Sequence, residues 1–146
     1  MISILPFTRE HIAEVCILEK TAFSDPWSEM TFIKELENPQ AYYFIAIKDE
    51  KIVGYAGMLV ILDEGHIMNI AVDKTQRGTG IGKELVKKII EKAQELEMMG
   101  LTLEVRVGNI AAIKLYESFG FVSVGERKNY YQYPNEDATI MWCFFE

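Results

Sequence analysis

Ile70-Ala71-Val72-Asp73-Lys74-Thr75-Gln76-Arg77-Gly78-Thr79-Gly80-Ile81-Gly82-Lys83 is the stretch on which the reading of this chain turns. An apolar, strand-like run stops at Asp73. A glycine-rich turn follows, and then a helical pattern from about Ile81 to Met98. A chain builds a phosphate site this way. Glycines let backbone N–H groups converge on an anion, and the following helix presents its positive end to the same point. Two common phosphate loops fail on spacing. A Walker A loop needs G-x-x-x-x-G-K-[ST], but Arg77 stands five before Gly82 and Glu84 follows Lys83. A dinucleotide fingerprint needs G-x-G-x-x-G, whereas Gly78, Gly80 and Gly82 give G-x-G-x-G. The spacing present is R-x-x-G-x-G at Arg77, Gly80 and Gly82. Taken alone, it also fits a glycine-rich turn that holds no ligand.

Around this loop, 146 residues suit one domain, 1–146, with a single core. No apolar run approaches the roughly 20 residues of a membrane span. Met1-Ile2-Ser3-Ile4-Leu5-Pro6 lacks the basic start and apolar core of a signal peptide, so a cytoplasmic location is the expectation. Cys16 and Cys143 are far apart in apolar contexts and read as buried free thiols rather than a redox pair or metal site. His11 and His66 stand alone, and no metal is expected. The net charge of −7 argues against direct nucleic-acid binding and is compatible with a cationic partner.

Ile2 to Leu5 reads as a short strand. Thr8 is an N-cap for a helix to about Ala22, with Ile12, Val15, Ile17 and Leu18 on or near its apolar face. Phe23 to Trp27 breaks the chain, Ser28 caps a helix to about Glu37, and Asn38-Pro39 stops it. Tyr43 to Ile47 and Ile52 to Leu62 form a hairpin across Lys48-Asp49-Glu50-Lys51. Gly65 to Val72 is a strand, the long helix follows, and Gly100 is its expected stop. Leu101 to Val107 is a strand, Asn109 to Phe119 a helix, and Phe121 to Arg127 with Thr139 to Phe145 a final antiparallel pair. A polar, tyrosine-rich loop, Lys128 to Asp137, is expected between them. The order β-α-α-β-β-β-α-β-α-β-β implies an α/β domain with a mixed, mostly antiparallel sheet and flanking helices. The glycine loop sits at the carboxyl end of a strand, where ligands commonly bind in such sheets.

The order of elements resembles the GNAT N-acetyltransferase fold over essentially the whole chain, and the loop resembles that family's acetyl-CoA pyrophosphate loop. Within the family the chain is similar to the RimI type, which acetylates the N-terminal alanine of a small-subunit ribosomal protein. The matching residues are Phe23 to Ser28, Asp63 to Val72, Arg77 to Lys83, Leu103 to Arg106, Asn109, Ala112 to Phe121, Arg127 to Tyr131 and Glu136 to Ala138.

The resemblance implies an acetyl-CoA co-substrate and a protein N-terminal peptide as partner. Backbone amides of Arg77, Gly78, Thr79, Gly80, Ile81, Gly82 and Lys83 would hold the pyrophosphate, with Gly80 and Gly82 small so that the backbone can approach. The Arg77 and Lys83 side chains either add charge or are solvated loop residues. Ile70, Ala71 and Val72 would turn backbone groups to the pantetheine arm, with the Val72 N–H polarising the thioester oxygen. Asn109 reads as an N-cap, as a pantetheine partner, or as both. Glu104 sits mid-strand between apolar neighbours. It is either a charge on a solvated face or, as the resemblance implies, the general base. Tyr116 is either a core tyrosine sharing helical spacing with Ile113 and Phe119, or the general acid that serves the departing thiolate. Trp27, Glu64, Tyr130, Tyr131, Tyr133 and Asp137 would border the acceptor groove, although a tryptophan placed like Trp27 is more often a packing residue than a contact. Two other readings stay open: acetylation of a small-molecule amine or lysine, and a non-catalytic acyl-CoA-binding module.

Overall fold

A computed structural model describes residues 1–132 and 134–145, so Tyr133 lies outside the described residues. The chain runs β1 (Ser3–Pro6), α1 (Ile12–Ala22), α2 (Glu29–Glu37), β2 (Ala41–Lys48), β3 (Lys51–Ile61), β4 (Glu64–Val72), α3 (Ile81–Glu95), β5 (Gly100–Arg106), α4 (Ile110–Ser118), β6 (Val122–Gln132) and β7 (Asn135–Phe144). One mixed sheet takes the order β1-β2-β3-β4-β5-β7-β6. Of its pairings only β4 with β5 is parallel. The element order is the one that the sequence implies.

Local chemistry sets the turns. Asp49 and Glu50 both take the left-handed region, φ 53° and 65°, and close the β2–β3 hairpin as a two-residue turn. Ser28 caps α2 by accepting from the Thr31 N–H, and Asn109 caps α4 by accepting from the Ala112 N–H. Thr8 caps a short 3-10 turn, Arg9–His11, and α1 begins only at Ile12.

Three expectations change. The long helix ends at Glu95, not near Met98, and Gly100 belongs to β5. Glu97 takes the left-handed position at φ 59° while the Met98 N–H donates to the Ala93 carbonyl, so a Schellman-type end forms without glycine. The expected loop Lys128 to Asp137 is largely strand, because β6 continues to Gln132 and β7 starts at Asn135. Its described residues are exposed or half-buried and mostly polar, so no apolar alternation marks it. Ile17 is 68% exposed, whereas Ile12, Val15 and Leu18 are buried.

Two cores lie astride the sheet. On one face α3 brings Ile81, Leu85, Val86 and Ile89 against Met58, Ile67, Leu101, Leu103, Val105 and Met141. On the other, α1 and α2 bring Val15, Leu18 and Phe32 against Tyr43, Ile45 and Tyr55. Phe32 meets the Tyr55 ring edge-on at 5.5 Å. Of the cysteines, Cys143 is buried and Cys16 half-buried, and both are free thiols. No helix among the described residues is long and apolar enough to cross a membrane.

Glu19 of α1 is 1% exposed within the second core. It accepts the Trp27 N–H at 2.9 Å and the Tyr55 hydroxyl at 2.5 Å. Burial pushes its carboxyl above the ordinary value, against the opposing pull of these two bonds. The folded chain therefore holds this proton more tightly than the unfolded chain does. That contribution to stability is fully present below the unfolded value of about 4.3 and is lost as pH rises through the folded value. Urea unfolding of the parent and Glu19→Gln should show a difference that favours the parent more at about pH 4 than at about pH 8. A difference flat with pH would refute the shift.

Candidate active site

The register of β4 makes the site. Along β3 it pairs from Glu64 to Val72. Along β5 it pairs only at Glu64, Gly65 and His66, opposite Gly100, Leu101 and Thr102. Beyond His66 the two parallel strands part, and a gap opens between Ile67–Val72 and Leu103–Arg106. A bulge accompanies the parting: Gly57 opposes Asn69 and Met58 opposes Ile67, so Met68 is the extra residue.

The gap is lined by backbone. The Asp73 N–H donates to the Val53 carbonyl at 2.8 Å, and the Ala71 carbonyl lies 2.9 Å from where a Gly54 Cβ would stand. Residues 71 and 73 thus spend their polar groups on β3. By strand alternation Ile70 and Val72 turn theirs the other way, into the gap. Of the three residues expected there, Ile70 and Val72 turn backbone groups to the gap, while Ala71 has its side chain buried in the second core and its carbonyl facing β3.

At the gap's open end, Asp73 accepts from the Thr75 N–H and starts a 3-10 turn, Lys74–Gln76. Gly78 and Gly80 take φ 82° and 88°, and a Cβ at either would meet nothing within 4 Å, so conformation rather than crowding requires glycine there. Gly80 is the N-cap of α3, whose first intrahelical bond runs from Glu84 N–H to Gly80. The Ile81, Gly82 and Lys83 N–H groups are left at the helix's positive end, as an anion site needs. Gly82 has a packing reason to be small, since a Cβ would meet Leu115 of α4 at 3.3 Å. Ile81 sends its side chain into the core, while Arg77, Gly78, Thr79 and Lys83 are exposed.

Glu104 and Tyr116 stand on opposite faces. Leu103 and Val105 point to the α3 core, so Glu104 points to the other face, with Thr102 and Arg106. Among the described residues Glu104 has no hydrogen bond or ion pair. Tyr116 lies on the α3 side, 8% exposed, its ring 5.7 Å from that of Phe121. Its hydroxyl has no hydrogen-bond partner among the described residues, yet no sealed side-chain oxygen there is without one. The ring is buried and the hydroxyl meets solvent. Burial, and secondarily Tyr131, pushes this phenol above its ordinary value, so it stays protonated throughout the neutral range.

Tyr131 is the common neighbour. Burial and Tyr130, with smaller contributions from Glu104 and Glu136 and against the pull of Arg106, push its phenol up to about 12. Tyr130 meets it edge-on at 5.0 Å, and the Arg106 guanidinium lies 4.3 Å from the Tyr131 ring centre. Arg106 also donates to Glu136 at 3.2 Å and to the Pro134 carbonyl at 2.8 Å, and Glu136 accepts the Gly108 N–H at 2.7 Å. This clip fastens the β6–β7 hairpin to the end of β5. Arg106 and Glu136 were legible only as motif residues, because their contact spans 30 positions.

The remaining expected groove residues separate. Trp27 packs on Phe32 at 5.4 Å, at the edge of the second core. Asp137 accepts the Asn129 N–H at 2.8 Å and lies 3.6 Å from Lys128, so its carboxylate holds the hairpin together. Glu64 is at the closed end of the gap, 3.7 Å from His66. Asn109 caps α4 just past the end of β5. Among the described residues no cluster could hold a metal.

The family whose pattern matches residues 12–121 is described as the acetyltransferase (GNAT) family. A Bacillus subtilis (strain 168) protein, provisionally named as a ribosomal protein bS18-alanine N-acetyltransferase, is 41% identical over 134 residues, covering 91% of this chain and 89% of its own. The Escherichia coli (strain K12) enzyme of that name is 38% identical over 126 residues, covering 85% and 84%. The crystal structure of the ribosomal-protein-S18-alanine N-acetyltransferase from Escherichia coli superposes with a TM-score of 0.91 at 34% identity, covering 99% of this chain and 94% of that one.

Replacing Glu136 with alanine removes the acceptor of Gly108 and one partner of Arg106. The variant should lose about 1–2 kcal/mol in urea unfolding, with faster amide exchange at Gly108. Unchanged exchange there would show that the clip does not hold the hairpin.

Proposed function

The chain belongs to the GNAT family of acetyltransferases, and we propose that it transfers an acetyl group from acetyl-CoA to the α-amine of a protein N-terminus, the N-terminal alanine of a small-subunit ribosomal protein being the best-supported acceptor. One observation carries this reading. The gap between β4 and β5 is bordered by backbone donors, with a carboxylate on one face of the sheet and a protonated phenol on the other.

Acetyl-CoA supplies the activated acetyl group. The residues present fit it: the open N–H groups at the start of α3 suit a pyrophosphate, and Ile70 and Val72 offer strand-like backbone partners to an extended amide-bearing arm. The Val72 N–H would donate to the thioester oxygen as its charge develops. Glu104, on the acceptor face, takes a proton from the amine. An α-amine has a pKa of roughly 8, so part of it is already neutral near physiological pH and one carboxylate suffices. Tyr116, on the opposite face, gives its proton to the departing thiolate, and the burial that raises its phenol keeps that proton in place until it is needed. The exposed hairpin tyrosine Tyr130 and its neighbour Tyr131 border the acceptor side. The fastened hairpin keeps their rings in position before a peptide arrives.

The deciding assay is thiol release from acetyl-CoA on two short peptides carrying an N-terminal alanine, one with a free amine and one blocked. Turnover is expected with the free amine alone. Turnover on free small amines without preference for the peptide would overturn the acceptor assignment, and tight acetyl-CoA binding without any turnover would leave a binding module. Glu104→Gln should lower kcat by roughly 10²-fold or more, and Tyr116→Phe by roughly 10²-fold, both with acetyl-CoA binding retained. Activity at the parent level in Glu104→Gln would remove it from the chemistry.

A further inference from the structure

Glu19, Tyr55 and Asn69 form a polar chain that runs from the buried second core to the parted stretch of β4, and the chemistry proposed above uses none of them. Tyr55, on β3, is fully buried and has one hydroxyl proton, which it donates to Glu19 Oε1 at 2.5 Å. At its other side the hydroxyl can therefore only accept, and the group it meets there, at 3.2 Å, is Asn69 Nδ2. Ionised, Glu19 can only accept and so fixes the direction of every bond in the chain. The Asn69 amide is left with its carbonyl oxygen, Oδ1, turned away from Tyr55.

The position of Asn69 gives this orientation a use. It lies three residues past His66, the last residue of β4 paired with β5, and just after the Met68 bulge. Its side chain reaches Tyr55, so it shares the second-core face of the sheet with Glu104, across the gap. Glu19 reaches the same region a second way: its Oε2 accepts the Trp27 N–H at 2.9 Å and holds the segment that leads into α2. An incoming amine needs acceptors for its N–H groups. A neutral carbonyl oxygen meets that need without competing with Glu104 for the proton, which a second carboxylate would do.

Resting on the acceptor reading above, we infer that Asn69 Oδ1 binds the N–H of the acceptor amine, and that Glu19 is the positioning residue which, through Tyr55, sets the amide in that orientation. Substituting Glu19 with glutamine tests the direction of the chain at constant volume. The glutamine carbonyl keeps Trp27, its NH2 now donates to Tyr55, and Tyr55 must donate to Asn69. The Asn69 amide turns over and presents NH2 to the amine.

The experiment is steady-state kinetics on the free-amine peptide for the parent, Glu19→Gln, Asn69→Ala and the double variant, with the acetyl-CoA dissociation constant measured alongside. Both single variants should raise the peptide KM roughly tenfold, the scale of one hydrogen bond to a charged group, and leave acetyl-CoA binding within about twofold. The double variant should be no worse than Asn69→Ala, since Glu19 acts through that residue. A purely structural role for Glu19 would instead weaken acetyl-CoA binding together with peptide binding and add to the Asn69→Ala loss, and either result overturns the inference. An unchanged peptide KM in Asn69→Ala overturns it as well, and that variant decides alone if Glu19→Gln does not fold. A parent that never acetylates the free-amine peptide defeats the proposed function first, and this inference with it.

Discussion

The parting of β4 from β5 is the constraint on which the rest of the structure depends. Two strands that hydrogen-bond along their length leave no room for a third chain. Here the parallel pair stays together for three residues and then separates. Backbone groups of Ile70 and Val72 that a regular sheet would consume are held at a fixed direction in a gap. The energetic burden falls elsewhere: β4 keeps its ladder with β3, β5 keeps its ladder with β7, and the two cores on opposite faces hold both pairs in place. The open N–H groups at the start of α3 stand beside the same gap, because α3 leaves the carboxyl end of the strand that has parted.

The sheet keeps the proposed base and acid, Glu104 and Tyr116, apart. A carboxylate and a phenol that must stay protonated are best kept from sharing one environment. Alternation along β5 sends Glu104 to one face, while Tyr116 comes from a helix on the other. Burial of the Tyr116 ring raises its phenol, and Glu104 keeps its carboxylate clear of partners among the described residues. Tyr131 stands electrostatically between them. The Arg106–Glu136 contact joins its hairpin to the end of β5, and the β6–β7 register is irregular between Arg127 and Tyr131.

The buried carboxylate of Glu19 links the second core to the strand that borders the gap. Burying a charge is costly unless it is well hydrogen-bonded, and both Glu19 oxygens are engaged. The groups that satisfy it belong to the Trp27 segment and to β3, and Asn69 of β4 joins through Tyr55. A single side chain on α1 therefore ties together the Trp27 segment, β3 and, through Tyr55, β4.

The sequence by itself determined the element order, the caps at Ser28 and Asn109, the glycine-rich turn before the long helix, and the identities of Glu104 and Tyr116 as residues worth weighing. Each of these rests on interactions within a few positions, or on a periodicity that one segment carries alone. Only the tertiary structure decided which backbone groups face the gap, those of Ile70 and Val72, because strand parity is set by the partner strand. Tertiary structure likewise turned Asp137 and Trp27 toward the fold's own contacts, extended β6 and β7 through a polar stretch with no apolar face to announce it, and joined Arg106 to Glu136 and Glu19 to Tyr55. These contacts span 30 and 36 positions, and no local pattern encodes a distance that only the folded sheet closes.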